Sequence, residues 1–174
     1  APKIRRLSNL QWKYVLNCLK TRAEKHELKE RDLFIASLMY GLYLRTCELT
    51  PRFGWEPKMN SFYMDNDGNW WFKVLGKGSK FRDIAVSESV LNALKRYRKS
   101  MNLNSFPNFR DETPLFMNQK TNQVIINTRS FSRIIKHAFY EASAALIVDG
   151  FITEAESLQE ATPHWLRHTG ISKM

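Results

Sequence analysis

Leu33 to Leu44 is the longest apolar run in the chain, 12 residues, and it constrains the fold more than any other stretch. Spanning a bilayer as a helix takes roughly 20 apolar residues, so this run is too short to cross one. It has the length of a helix buried on most sides. Residues 30–43 are therefore expected to form a central helix, with Leu33, Phe34, Ile35, Leu38, Met39 and Leu42 inside. The run leads directly into Leu44-Arg45-Thr46-Cys47-Glu48-Leu49, and Pro51 closes it. A cation at the end of a buried helix must find a carboxylate or an anion. The plain reading is an Arg45–Glu48 pair on one helical turn; the sharper one is an anion site.

Composition favours the anion. The 174 residues carry 27 Lys and Arg against 17 Asp and Glu, a formal net charge of +10. Such an excess points to a polyanion, nucleic acid first and an anionic membrane surface second. At 43% hydrophobic and 13% aromatic residues, the chain can bury a core as one domain. The Ala-Pro-Lys-Ile-Arg-Arg start lacks the apolar stretch of a secretory signal. Cys18 and Cys47 are too few for a disulfide scaffold, so both are expected to be reduced, in a cytoplasm.

Helical spacing surrounds the central run. Ser8 and Gln11 form a capping box for a helix over 8–25, with Trp12, Val15, Leu16, Leu19 and Ala23 on one face. Another helix starts at Ser87 or Glu88 and runs to about Ser100, ending in a basic cluster of Lys95, Arg96, Arg98 and Lys99. A long helix capped by Thr128 or Ser130 reaches about Ile147, and a short acidic helix covers 153–160. Between the second and third helices the period changes. Runs at 61–64, 70–75 and 81–86 are joined by Asp65-Asn66-Asp67-Gly68 and by Gly76-Lys77-Gly78-Ser79-Lys80. They read as a small antiparallel sheet with Lys77 at its second hairpin tip. The glycines do not make a phosphate-binding Walker loop, because the first would fall at Trp71.

The last helix starts at Thr162-Pro163-His164-Trp165-Leu166-Arg167-His168-Thr169. Thr162 suits the cap and Pro163 the first turn. His164 and Arg167 then share a face at a helix N-terminus, where anions are already favoured. His164 and His168 have a metal-ligand spacing, but Trp165 stands where a zinc protease needs Glu, and Arg167 is a cation beside the supposed metal.

Taken in order, these pieces resemble the catalytic domain of the tyrosine recombinases, the phage integrase family. Leu44 to Leu49 matches the first arginine motif, Gly76 to Arg82 the hairpin lysine, Pro114-Leu115-Phe116 the midpoint, and Thr162 to Thr169 the His-x-x-Arg box. The likeness runs from about Leu7 to the end. It implies an α+β, mainly helical integrase-type domain with a small three-stranded antiparallel sheet. It also implies site-specific cutting and rejoining of double-stranded DNA through a 3′-phosphotyrosyl intermediate, without cofactor or metal. Arg45 and Arg167 would hold the non-bridging oxygens of the scissile phosphate, His164 would act in proton transfer there, and Lys77 would protonate the leaving 5′ oxygen. Glu48 would support Arg45, and His168 would brace the helix. Lys80, Arg82, Lys95, Arg129 and Arg133 are candidates for further DNA contacts. Family members act as tetramers on paired sites of mobile elements, so other protomers are expected partners.

Two departures stand out. The family places glycine two residues before the first arginine, where this chain has Tyr43. Its nucleophilic tyrosine follows the His-x-x-Arg box, whereas Tyr14, Tyr40, Tyr43, Tyr63, Tyr97 and Tyr140 all precede it. The expectation is a catalytic domain over 1–174 without the N-terminal DNA-clamping domain or the tyrosine segment, binding DNA without cleaving it. The alternatives are a non-catalytic DNA-binding relative and a generic basic domain that binds nucleic acid.

Overall fold

The computed structural model describes residues 5–118, 120–125 and 127–171. The apolar run is central, as expected. Helix α2, Glu30–Leu42, is buried nearly all round, and α1 (Asn9–Lys25), α3 (Glu88–Ser100), α4 (Thr128–Val148) and α6 (Pro163–Ile171) pack against it. Phe34 is the aromatic hub. It stacks on Tyr97 of α3 at 4.4 Å between ring centroids and tilts against Phe62 at 6.4 Å and Phe116 at 6.0 Å. Phe116 in turn meets Phe131 of α4 edge-on at 5.2 Å. Gly41 sets the α2–α3 distance, since a Cβ there would lie 2.4 Å from the Val90 Cγ2.

The capping box forms as read. The Gln11 N–H donates to the Ser8 Oγ at 3.1 Å, and the Ser8 N–H to the Gln11 Oε1 at 2.8 Å. Helix α5, Ile152–Glu160, folds back on α4 through Gly150 at φ 88°. Ser143 fixes that pairing by donating to the Ala155 carbonyl at 3.0 Å and accepting from the Gln159 amide at 2.9 Å. Strands β1 (Phe62–Met64), β2 (Trp70–Leu75) and β3 (Phe81–Ala85) form an antiparallel sheet in chain order. Its register aligns Phe62, Phe72 and Ile84 on one face and pairs Val74 with Arg82.

Some expectations are corrected. Asn127 caps α4, its Oδ1 accepting from the Ser130 N–H at 2.9 Å, in place of Thr128 or Ser130. Extended backbone at φ −130° and ψ 150° lets this short amide reach the first turn. Two of the four cations in the basic cluster of α3 are ion-paired. Arg96 pairs with Glu30 at 2.8 Å, and Arg98 is 3% exposed, donating to the Asn104 carbonyl at 2.7 Å and to Asp111 at 3.1 Å. Arg96 thereby holds α2, and Arg98 holds the irregular stretch 103–111. A second ribbon, β4 (Met117–Asn118) with β5 (Gln123–Val124), has strands of two residues, too short to leave an alternation in sequence.

Candidate active site

Three segments far apart in sequence converge at the C-terminal end of α2. Tyr43 ends the helix in the left-handed region at φ 56° and ψ 39°. A glycine takes that conformation without strain, whereas here a tyrosine adopts it. A bulky side chain held left-handed costs about 1–2 kcal/mol. Its effect is to turn the Tyr43 carbonyl toward α6, where the Arg167 Nε donates to it at 2.8 Å.

Arg45 follows as the N-cap of the single 3₁₀ turn Thr46–Leu49. Glu48 closes that turn by accepting from the Arg45 backbone N–H at 2.9 Å. The Glu48 carboxylate is 1% exposed and faces Arg82 of β3, which gives it both Nη1 and, at 3.3 Å, Nη2. A bidentate fork of this kind is the strongest pairing a carboxylate finds among side chains. Glu48 thus supports Arg45 through its backbone and spends its charge on Arg82. Gly76 makes room for the pair, because a Cβ there would sit 2.7 Å from the Arg82 Nη1. The next residue is Lys77.

Charge at this corner does not balance. Arg45, Arg82 and Arg167 bring three positive groups against the one carboxylate of Glu48, a formal +2. Burial lowers the Arg167 pKa, Arg45 lowers it further, Glu48 opposes them, and Arg82 adds to the lowering. A guanidinium pressed by two others is relieved by a bound anion. No hydrogen bond engages the Arg45 guanidinium among the described residues, and its side chain is half-buried.

The remaining candidates lie on the β2–β3 hairpin, α3, α4 and α6. Lys77 and Lys80 are exposed on the β2–β3 hairpin, which the Gly76 N–H closes by donating to the Lys80 carbonyl at 2.8 Å. His164 is exposed on the first turn of α6, three residues before Arg167, and His168 is exposed immediately after it. Arg129 and Arg133 are exposed on the first turns of α4. Lys95 sits 5.5 Å over the Phe106 ring. No hydrogen bond or ion pair ties Lys95, Arg129 or Arg133 to the arginine cluster among the described residues.

Two positioning residues left no mark in the sequence. Lys136 of α4 donates to the Gln159 carbonyl at 3.3 Å and the Ala161 carbonyl at 2.7 Å, fixing the chain just before Pro163. Thr169 is fully buried, accepts from the Leu7 N–H at 2.7 Å and donates to the Trp165 carbonyl at 2.6 Å, tying α6 to the start of α1. Both are long-range contacts, which spacing cannot reveal. Among the described residues no group of His, Cys, Asp and Glu has a metal-site arrangement, and no helix is long and apolar enough to cross a membrane.

The fold is similar to that of solved site-specific recombinases. The chain superposes on the XerH site-specific recombinase bound to its difH substrate before cleavage, with a TM-score of 0.64 and 18% identity over 99% of this chain and 43% of that one. The post-cleavage complex of XerH with a palindromic difH substrate gives 0.60 and 18% over 97% and 41%. In sequence the chain is 27% identical over 156 residues to the tyrosine recombinase XerC of Pelobacter propionicus, covering 90% of this chain and 42% of that protein. No family model matches the chain. The likenesses in sequence and fold together support a tyrosine recombinase family catalytic domain, and the chain spans about two fifths of the length of these relatives.

Proposed function

We propose that residues 1–174 form the DNA-binding and phosphate-holding part of the catalytic domain of a site-specific DNA recombinase. The parent protein would cut and rejoin duplex DNA through a 3′-phosphotyrosyl intermediate, with protomers of its own kind assembled on paired sites. The observation that carries this reading is the Arg45–Arg82–Arg167 cluster, whose uncompensated charge and pressed Arg167 call for a phosphate.

The chemistry follows from what a phosphodiester needs. In-line attack places negative charge on the two non-bridging oxygens, and donors already fixed in place stabilise it without reorganising. Arg45 and Arg167 hold those oxygens, and their planar forks suit them to it. The Arg167 Nε is committed to the Tyr43 carbonyl, which leaves its two terminal nitrogens for the phosphate. His164, one turn earlier, exchanges a proton with the attacking hydroxyl, and Lys77 gives one to the departing 5′ oxygen. Glu48 holds the Arg45 turn, His168 steadies α6, and Lys80, Lys95, Arg129 and Arg133 meet the DNA backbone further out. Arg82, expected to touch DNA, adds its charge from behind through Glu48.

Among the described residues no tyrosine hydroxyl hydrogen-bonds Arg45, Arg82 or Arg167. Tyr14, Tyr63 and Tyr97 donate theirs to Asp149, Asp83 and the Leu115 carbonyl. On this reading the 174 residues bind duplex DNA and leave it uncut. Duplex binding should fall steeply with salt and weaken on Arg167→Ala, and no detergent-stable protein–DNA adduct should form. Salt-insensitive binding, or an adduct formed by these residues alone, contradicts the proposal.

A further inference from the structure

Arg52, seven residues after Arg45, closes a tight turn with Trp55. The Arg52 N–H donates to the Trp55 carbonyl at 2.7 Å and the Trp55 N–H to the Arg52 carbonyl at 2.8 Å. Its two central residues, Phe53 and Gly54, lie at φ 50° and φ 74°. A two-residue turn of this hand is the natural place for Asn-Gly or Gly-Gly. Here the first position holds phenylalanine, in a backbone conformation that disfavours it, with its ring 79% exposed. Phe53 makes no ring contact among the described residues and takes no part in the core. It adds nothing visible to the fold and costs both strain and exposed apolar surface.

The turn itself is firmly held. Trp55 meets Phe81 edge-on at 5.8 Å, and Phe81 pairs with Leu75 at the base of the hairpin that carries Lys77. The Arg52 Nη2 donates to the Leu75 carbonyl, one residue before Gly76. Phe53 is therefore presented by a braced turn beside the Lys77 hairpin, and that hairpin is locked to the Arg45 turn by Arg82 and Glu48. Alongside runs a groove lined by Arg52, Lys58 and Lys73 against Glu56 and Glu112. Lys73 stands 5.0 Å over the Phe81 ring. Cations in excess of carboxylates, interleaved with aromatic faces, match the chemistry of a nucleic acid, which offers phosphates outside and flat apolar bases within.

We propose that Phe53 is an apolar wedge that enters a groove of the duplex beside the phosphate held by the arginine cluster and partly unstacks a base step there. The inference rests on the DNA reading given above. Apolar side chains inserted between base steps are a known way for proteins to open and bend a duplex. The strain at Phe53 is then compensated in the complex, where the ring leaves water and stacks on a base.

The test compares the wild-type chain, Phe53→Asn and Arg167→Ala on two fluorescent duplexes of the same sequence, one intact and one with a single-nucleotide gap. A gap removes the stacking that a wedge must break. Wild type is expected to bind the gapped duplex several-fold more tightly. Phe53→Asn should lose that preference with its salt dependence unchanged, and should melt at the same temperature as wild type or a few degrees higher. Arg167→Ala should weaken on both duplexes and keep the preference. The wedge is overturned if wild type binds both duplexes equally, if Phe53→Asn keeps the preference, or if Phe53→Asn melts several degrees lower, which would give Phe53 a role in the fold. Failure of wild type to bind either duplex would overturn the DNA reading, and the wedge with it.

Discussion

The Arg167 Nε donates to the backbone carbonyl of Tyr43 at 2.8 Å, joining residues 124 positions apart in the chain. The bond links the end of the buried helix to the helix that carries His164. Its geometry depends on Tyr43 being left-handed at φ 56°. One strained residue therefore orients the guanidinium on which the proposed phosphate site depends.

Substitutions at Tyr43 should follow backbone conformation before side-chain size. Glycine relieves strain of about 1–2 kcal/mol but stiffens the folded chain less than it frees the unfolded one, by about 0.5–1 kcal/mol. Tyr43→Gly is expected within about 1 kcal/mol of wild type, while Tyr43→Val, β-branched and worse in this region, should lose about 2 kcal/mol or more. Urea denaturation of the three proteins checks this. Equal stability of the Val and Gly variants would mean that the left-handed cap does not matter.

The Glu48–Arg82 pair should matter more for the fold than a surface ion pair. Glu48 is buried and Arg82 is 41% exposed at its side chain, so replacing the carboxylate by an amide removes the opposite charge and leaves one oxygen to serve both Arg82 and the Arg45 N–H. Glu48→Gln is expected to cost about 2–3 kcal/mol, below the full range for a pair buried on both sides because Arg82 can turn to water. Arg82→Ala should loosen the Lys77 hairpin, read as faster hydrogen exchange at the Gly76 amide. Unchanged exchange would show that the hairpin holds itself.

Much of this arrangement was legible in the sequence, for identifiable reasons. The Leu33–Leu44 run fixed a central helix because only a buried helix accommodates it. Period-two runs around Asp65–Gly68 and Gly76–Lys80 marked the sheet, and the Ser8–Gln11 box marked the start of α1 to the residue. What could not be read depends on contacts across long separations. Nothing local says that Arg82 turns inward to Glu48, that Arg98 leaves the α3 cation cluster to hold residues 103–111, or that Lys136 fastens the approach to α6. Nor does the sequence say that Tyr43, standing where the family has glycine, takes the left-handed conformation at φ 56°.

Lys136 offers a test of that fastening. Its ammonium satisfies the Gln159 and Ala161 carbonyls just before Pro163. Lys136→Met keeps the aliphatic stem and removes the donors. Hydrogen bonds from a charged donor contribute about 1.5–3 kcal/mol, so a loss near the lower figure is expected at this partly exposed site. Exchange should quicken at the Trp165 amide, which donates to the Thr162 carbonyl in the first turn of α6. If stability falls and that amide is unaffected, Lys136 only joins α4 to α5.

Acid should release the stretch held by Arg98. Burial pushes the Asp111 carboxyl up, but hydrogen bonds from Thr113 and the charge and hydrogen bond of Arg98 outweigh it together and hold the pKa below the ordinary 3.8. A carboxyl lowered on folding contributes stability that is fully present above its unfolded pKa and is lost as pH falls through the folded value. Stability measured from pH 5 downward should fall below about pH 4 with a component that Asp111→Asn removes. A wild-type minus variant difference that stays constant with pH contradicts the assignment.

The central claim is that Arg45, Arg82 and Arg167 form a phosphate site on duplex DNA. Its most direct test is the salt dependence of duplex binding by wild type and Arg167→Ala, with the exposed Lys99→Ala as control. Arg167→Ala should bind about 10-fold more weakly or worse, with a log–log salt slope shallower by about 0.9, the amount expected for one lost phosphate contact. Identical affinity and slope for wild type and Arg167→Ala would contradict the claim.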